Sequence, residues 1–109
     1  MIMEDTASLV SVPMVRDRYH QAPDIDAAVV LHEGKCSVQP FMGIEDEVDR
    51  DTTISQMRLI SRDSGFYQAT AQHYILFDDE LWKIDGKPFL WRINGRAHHV
   101  EITMRLVEG

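Results

Sequence analysis

This sequence lacks most of the features that mark secreted, membrane-spanning and disulfide-stabilised proteins. It has one cysteine, Cys36, so no internal disulfide can form, and the apolar, strand-like setting of this thiol favours a small buried hydrophobe. No apolar run approaches the roughly 20 residues that cross a bilayer, and the first residues have neither the basic nor the apolar region of a signal peptide. We therefore expect that the protein does not associate with membranes and that it is synthesised in a reducing cytosol.

Basic residues are also scarce. The chain has 11 Lys and Arg against 18 Asp and Glu, a net charge of −7 and a pI of about 5.0. A protein that grips nucleic acid through its phosphates needs clustered basic residues, so this charge argues against such binding. An acidic wall that DNA passes without adhering is compatible with it, because like charges repel.

Catalytic and cofactor motifs are missing. The stretch 86–88 (Gly-Lys-Pro) has neither the upstream glycine nor the hydroxyl residue of a phosphate-binding loop, and no nucleophile elbow occurs. A cupin-like metal enzyme is the alternative, because His99 and Glu101 share one side of a strand. Its third ligand, from His73 or His32, is not fixed by any spacing. We expect no enzymatic activity and no cofactor.

Four aromatic residues could form a stacking surface for single-stranded nucleic acid, as on an oligonucleotide-binding barrel. They are Trp82, Trp91, Tyr74 and Phe77. Such surfaces interleave aromatics with Lys and Arg, whereas the neighbours here are mainly Asp and Glu. Packing in the core or between subunits is the favoured interpretation.

Short apolar segments separated by turn signals make up most of the chain. With 109 residues and 44% hydrophobic content, the sequence forms one domain. Asp78-Asp79 and Asn94-Gly95 are two-residue hairpin signals, and no stretch has sustained helical periodicity. The predicted strands cover residues 14–20, 27–32, 36–39, 52–60, 73–77, 80–84, 89–93 and 99–107. The predicted fold is all-β: a small β-barrel of about six strands with a long acidic inter-strand loop.

That loop is the strongest functional indication in the sequence. It is longer than the two to five residues that a hairpin needs, and long loops on rigid β scaffolds are more often functional than accidental. It lacks the EF-hand spacing, so a hydrated charge run is favoured over a calcium site. No catalytic signature accompanies it, so it points to assembly or gating. The residues are Phe41, Met42, Gly43, Ile44, Glu45, Asp46, Glu47, Val48, Asp49, Arg50 and Asp51.

The first residues are small and polar and have little apolar alternation. We expect residues 1–11 to be a flexible arm and residues 12–109 to be the barrel domain. Leu9 and Val10 in the arm, and Arg16 and Arg18 on one face of the following strand, are predicted to contact a neighbouring subunit or partner.

Several short motifs, in this order, resemble the head-to-tail stopper proteins of long-tailed actinobacterial phages. They are Cys36-x-Val38-x-Pro40, Glu45-Asp46, Arg50-Asp51-Thr52, Leu81-Trp82-Lys83-Ile84-Asp85-Gly86-Lys87-Pro88, Trp91, and the final His99-Val100-Glu101 and Arg105-Leu106-Val107-Glu108-Gly109. The resemblance covers residues 12–109. The chain departs from the pattern at Phe41-Met42-Gly43-Ile44, where a more polar approach is typical of the family.

The resemblance implies a β-barrel that assembles into a homo-oligomeric ring, expected to be a hexamer, in the virion neck. Such a ring lies between the head-to-tail adaptor on the portal and the tail terminator. It closes the DNA-filled head, docks the tail, and uses the loop at 41–51 to gate the channel. Double-stranded DNA passes without sequence-specific binding. Assembly takes place in the bacterial cytoplasm. The alternatives are a tail terminator, an adaptor or a small oligonucleotide-binding barrel.

Overall fold

A closed, six-stranded antiparallel barrel forms the body of the molecule. The computed structural model describes residues 3–16, 21–40 and 56–107. In this part of the chain the strands are β1 (Asp5–Ser11), β2 (Met14–Arg16), β3 (Gln21–Pro23), β4 (Val29–Pro40), β5 (Gln56–Ser61), β6 (Tyr74–Phe77), β7 (Glu80–Ile84), β8 (Phe89–Ile93) and β9 (Arg96–Leu106). The barrel order is β5-β4-β1-β6-β7-β9, and β9 pairs back with β5. The predicted fold class is confirmed.

The remaining elements are attached to this barrel. β8 pairs with β9 beyond the closed wall, and β2 and β3 form a separate two-stranded ribbon. Two 3₁₀ helices, Ile25–Ala27 and Ser64–Gln68, connect strands. No helix in the described ranges is long and apolar enough to cross a membrane.

The barrel interior holds the main apolar core. Its fully or nearly fully buried members come from every strand of the wall and from the 3₁₀ helix Ser64–Gln68: Ala7, Leu9, Cys36, Leu59, Phe66, Ile75, Trp82, Ile84, Val100, Ile102 and Met104. A second, smaller cluster lies on the opposite face of β1, β6 and β7 and consists of Val10, Val12, Tyr74 and Leu81. These strands are therefore buried on both faces, which strict apolar–polar alternation does not describe.

The two C-terminal hairpins agree with the sequence prediction. β7 and β8 have the predicted bounds, and Val100, Ile102 and Met104 face the core as expected. Both loops have two residues with positive φ, as a tight hairpin requires: 55° and 61° at Asp78 and Asp79, and 52° and 78° at Asn94 and Gly95. Local turn chemistry therefore specifies these two hairpins.

The N-terminal arm is a correction. Asp5–Ser11 is β1, a wall strand that pairs with β4 on one edge and β6 on the other. Leu9 and Val10, predicted to contact a partner, are only 0% and 1% exposed, so they cannot reach one without opening the barrel. The small residues around them do not indicate a strand in the sequence. The strand is stabilised by burial of both faces and pairing at both edges, and not by the β propensity of its own residues.

A second correction concerns β4. The predicted strands 27–32 and 36–39 are separated by residues 33–35, but one strand runs from Val29 through Gly34 to Pro40. Gly34 is needed for space and not for a turn: a Cβ there would lie 2.0 Å from Asp63 Oδ2. A strand also forms outside the predicted ones, since Gln21–Pro23 pairs with Met14–Arg16.

β4 and β5 are the two ends of the long acidic connection. They pair from Ser37↔Ile60 to Pro40↔Met57, so the chain leaves and re-enters the barrel at one place. Residues 41–51, predicted to be the gating loop, lie outside the described residues, as do residues 52–55 of the predicted strand.

Candidate interaction surface

Two strands extend beyond the same end of β5. β5 ends at Ser61, opposite Val100 of β9, and its ladder with β4 begins at Ser37. The residues of β4 and β9 that precede these positions therefore project past β5, one strand on each side of it. This end of the barrel carries the site described below.

The 3₁₀ helix Ser64–Gln68 fills the space between the two projecting strands. The side chain of Phe66, in the middle of this helix, is fully buried. The Tyr67 hydroxyl lies 3.0 Å from the carbonyl oxygen of His98 in β9 and 3.1 Å from that of Arg62. These contacts hold β9 in place against the helix.

On the β4 side, the helix is joined through a histidine–aspartate pair. His32 Nε2 lies 2.9 Å from Asp63 Oδ2, a polar contact that is an ion pair only when the imidazole is protonated. The His32 ring packs edge-on to Phe66 with centroids 5.0 Å apart. The Gly65 N–H also donates to Asp63 Oδ1 at 3.1 Å and caps the helix.

The electrostatics of this pair favour the charged carboxylate. His32 holds the pKa of Asp63 below its ordinary value of 3.8, and the Gly65 N–H adds to this, whereas partial burial acts in the opposite direction. Two glycines leave room for the ring: a Cβ on Gly65 would lie 2.2 Å from its atoms, and one on Gly34 would lie 2.7 Å from Nε2.

We name residues 87–99 the basic hairpin. It contains β8, the Asn94-Gly95 turn and the start of β9. Phe89, Trp91 and Ile93 lie on one face of β8 and are 57%, 45% and 53% exposed. Trp91 stacks on His99 with centroids 5.9 Å apart and an interplanar angle of 14°. The segment has three of the chain's 11 basic residues, Lys87, Arg92 and Arg96, and none of its 18 acidic ones.

We name residues 24–33 the acidic segment. It contains the 3₁₀ helix Ile25–Ala27 and the projecting start of β4. Ile25, Val29, Val30 and Leu31 are exposed, and the charged residues are all acidic: Asp24, Asp26 and Glu33. Together with the basic hairpin, this segment has seven of the ten exposed large apolar side chains in the described ranges. Apolar exposure is therefore concentrated at two places of opposite charge.

The predicted contact residues are mostly elsewhere. Arg16 is exposed at the end of β2, while Arg18 and the loop at 41–51 lie outside the described residues. Sequence reasoning missed the acidic segment and the exposure of the basic hairpin. One signal was present in the sequence: residues 87–99 are free of acidic side chains in a strongly acidic chain.

The histidines considered for a metal site do not converge with a third ligand. His98 Nδ1 and His99 Nδ1 contact each other at 2.8 Å, whereas His73 Nδ1 accepts from the Thr70 N–H and His32 faces Asp63. Across residues 3–16, 21–40 and 56–107, no three His, Cys, Asp or Glu side chains are grouped as metal ligands.

The aromatic residues considered for nucleic-acid stacking divide into two groups. Trp82 and Tyr74 are buried and Phe77 is partly buried against the core, as the packing interpretation predicted. Trp91 is exposed in the basic hairpin. The buried pair cannot stack on bases in this fold.

Comparison with known proteins identifies the fold. No family model and no curated protein matches the chain. The solution structure of protein SF1141 from Shigella flexneri 2a, a structural genomics target, is similar with a TM-score of 0.61 and 17% sequence identity. The match covers 95% of this chain and 92% of that one. At this identity the likeness establishes a shared barrel fold and nothing of the function.

Proposed function

We propose that this protein is a structural component of a phage neck, a ring-forming head-to-tail stopper between the portal–adaptor complex and the tail terminator. The observation that carries the proposal is the β4–β5 pair. The barrel pairs these strands as far as Pro40↔Met57, and residues 41–55 connect them in the sequence. This is the position at which the sequence motifs resemble those of the stopper family.

The charge of the chain supports the same role. With a net charge of −7 and five carboxylates in residues 45–51, the protein suits the wall of a channel that DNA must cross without adhering. The barrel also has exposed apolar surfaces, which favour contacts with other proteins. A ring needs such contacts at two places on every copy.

The test is a cryo-EM reconstruction of the neck of particles that contain this chain. We expect a ring of the barrel beneath the adaptor ring, and the same map locates residues 41–51 relative to the channel. A ring at the tail side of the neck would instead favour a tail terminator. Particles that assemble and infect normally after the gene is deleted would refute the proposal.

A matched biochemical experiment separates this function from the oligonucleotide-binding alternative. Purified protein is titrated with labelled single-stranded and double-stranded DNA at low salt, where phosphate binding is strongest. We expect no binding that saturates. Tight binding to single strands would overturn the structural role in favour of an oligonucleotide-binding barrel.

A further inference from the structure

The basic hairpin and the acidic segment are complementary in both charge and apolar character. The hairpin offers Phe89, Trp91 and Ile93 on one face of β8, with Arg96 opposite Ile93 at the tip, and Arg92 on the other face of the same strand. The acidic segment offers four exposed aliphatic side chains beside three carboxylates and has no Lys or Arg. A surface that is apolar at its centre and charged at its rim is typical of protein interfaces.

The two surfaces lie on opposite sides of β5. The acidic segment leads into β4 on one edge of β5, and the basic hairpin leads into β9 on the other. The 3₁₀ helix Ser64–Gln68 lies between them. A single copy can therefore present both surfaces at once, to two different neighbours.

Each surface also has a free strand edge within the described ranges. β8 pairs only with β9 and is the last strand of the sheet. β5 covers β4 only over Ser37–Pro40, and the residues after β5 lie against residues 32–35, so residues 29–31 are the part of this edge without a paired strand. Edges of this kind allow one barrel to extend the sheet of another by β-augmentation.

We propose that the basic hairpin of one copy docks on the acidic segment of the next copy. The contact is head-to-tail: different surfaces meet, so each added copy leaves one hairpin and one acidic segment open. Such a contact closes into a ring when the rotation between copies permits and otherwise propagates. The ring's place in a virion rests on the proposed function, whereas the contact itself is a property of the purified chain.

The test uses charge reversal on each surface separately. Variant one has Arg92→Glu and Arg96→Glu, and variant two has Asp24→Lys and Asp26→Lys. Asp24 makes no side-chain cap bond and Asp26 is exposed, so the barrel is expected to stay folded, as checked by circular dichroism. Matched controls at exposed positions outside both segments are Arg105→Glu and Glu4→Lys.

Sedimentation velocity at low salt then measures self-association. We expect the wild-type chain and both controls to associate, with at least tenfold weaker association at high salt. Each variant alone should be monomeric. An equimolar mixture of the two variants should associate again, because each then meets its complement.

A second measurement maps the contact directly. Ile93→Cys and Ala27→Cys chains are mixed and treated with a bismaleimide. Native Cys36 does not interfere, because burial raises the pKa of its thiol to about 12. We expect cross-links between positions 93 and 27, and few in either variant alone.

Several outcomes would overturn the inference. One is a wild-type chain that stays monomeric at about 1 mM, a concentration at which contacts with dissociation constants in that range are visible. A second is cross-linking of position 93 to position 93 of another copy. Another is DNA binding abolished by Arg92→Glu and Arg96→Glu while self-association is unchanged, which would assign the hairpin to nucleic acid. A neck ring joined through other surfaces would refute this contact and leave the proposed function standing. Self-association of the purified chain, with no ring in the virion, would support this contact and refute the proposed function.

Discussion

Two tryptophans on successive strands, Trp82 in β7 and Trp91 in β8, have opposite surroundings. Trp82 points into the closed barrel and is 3% exposed, whereas Trp91 lies on the open face of a hairpin that extends past β5. Both strands belong to hairpins with two-residue loops, and both read as apolar, aromatic-rich segments. The local pattern specifies a strand in each case, but only the closure of the sheet decides whether a neighbour covers it.

This difference separates the stability of the molecule from its proposed contacts. The wall strands supply the core, so their side chains contribute mainly to the free energy of unfolding. The projecting hairpin has few buried residues, so its side chains are available to a partner. Substitutions in the two regions should therefore act on different measurements.

The largest expected effect comes from exchanging the two tryptophans for alanine. Trp82→Ala removes a buried side chain from the core and should lower the free energy of unfolding by about 3–5 kcal/mol. Trp91→Ala should change it by less than about 1 kcal/mol and should weaken self-association instead. Urea unfolding and sedimentation of both variants check this. Equal loss of stability in the two would show that the hairpin belongs to the folding core.

Gly65→Ala tests how the projecting strands are held to the barrel. The new Cβ would lie 2.2 Å from the His32 ring, so the ring must leave the Asp63 carboxylate. We expect a loss of about 1–3 kcal/mol in urea unfolding, typical of overpacking.

The matched control removes the His32 ring, the other partner in this clash. In a His32→Ala background the ring is absent, so Gly65→Ala should cost much less, and the double-mutant cycle should show strong coupling. An equal cost in both backgrounds would mean that the backbone at Gly65, and not the ring, limits the substitution.

Turn chemistry and the buried strand pattern made the C-terminal half predictable. Asp78-Asp79 and Asn94-Gly95 specify hairpins within a few residues, and Val100, Ile102 and Met104 alternate cleanly. β1 could not be predicted in the same way. Its small residues gain their stability from neighbours on both edges, and those neighbours come from distant parts of the sequence.

The candidate surface was less predictable than the fold. Gly34 looks like a turn residue, but the structure uses its missing side chain to admit Asp63 and the His32 ring. Asp63 lies about 30 residues further along the chain, and no local sequence pattern predicts its contact with Gly34. The basic hairpin could be recognised in the sequence as a segment with basic but no acidic residues. Its exposure, however, depends on where β7 and β5 end against β9. Such information is carried by the topology and not by the strand itself.

A smaller effect is expected from equalising the two hairpin loops. Asp78 and Asp79 both have positive φ, where non-glycine residues are strained, whereas the other loop has Asn-Gly. Changing Asp78-Asp79 to Asn-Gly should stabilise the barrel by about 0.5–1 kcal/mol. The reverse change, Gly95→Asp, should cost less global stability, since its hairpin lies outside the closed wall. Thermal unfolding compares the two, and a larger effect at Gly95 would contradict the division between wall and projecting hairpin.

The smallest effect is a dependence on pH at the His32–Asp63 pair. Because the pKa of Asp63 is lower in the folded chain than its ordinary value of 3.8, the unfolded chain binds more protons in acid. The stabilisation from the Asp63 carboxylate is therefore complete above about pH 3.8 and is lost as the pH falls through the pKa of Asp63 in the folded chain. Both side chains are partly exposed, so less than about 1 kcal/mol is expected. Urea midpoints of the wild type and Asp63→Asn should converge between about pH 6 and pH 2. A gap that stays constant over this range would mean that Asp63 acts only through its helix cap, a contact that asparagine keeps in part.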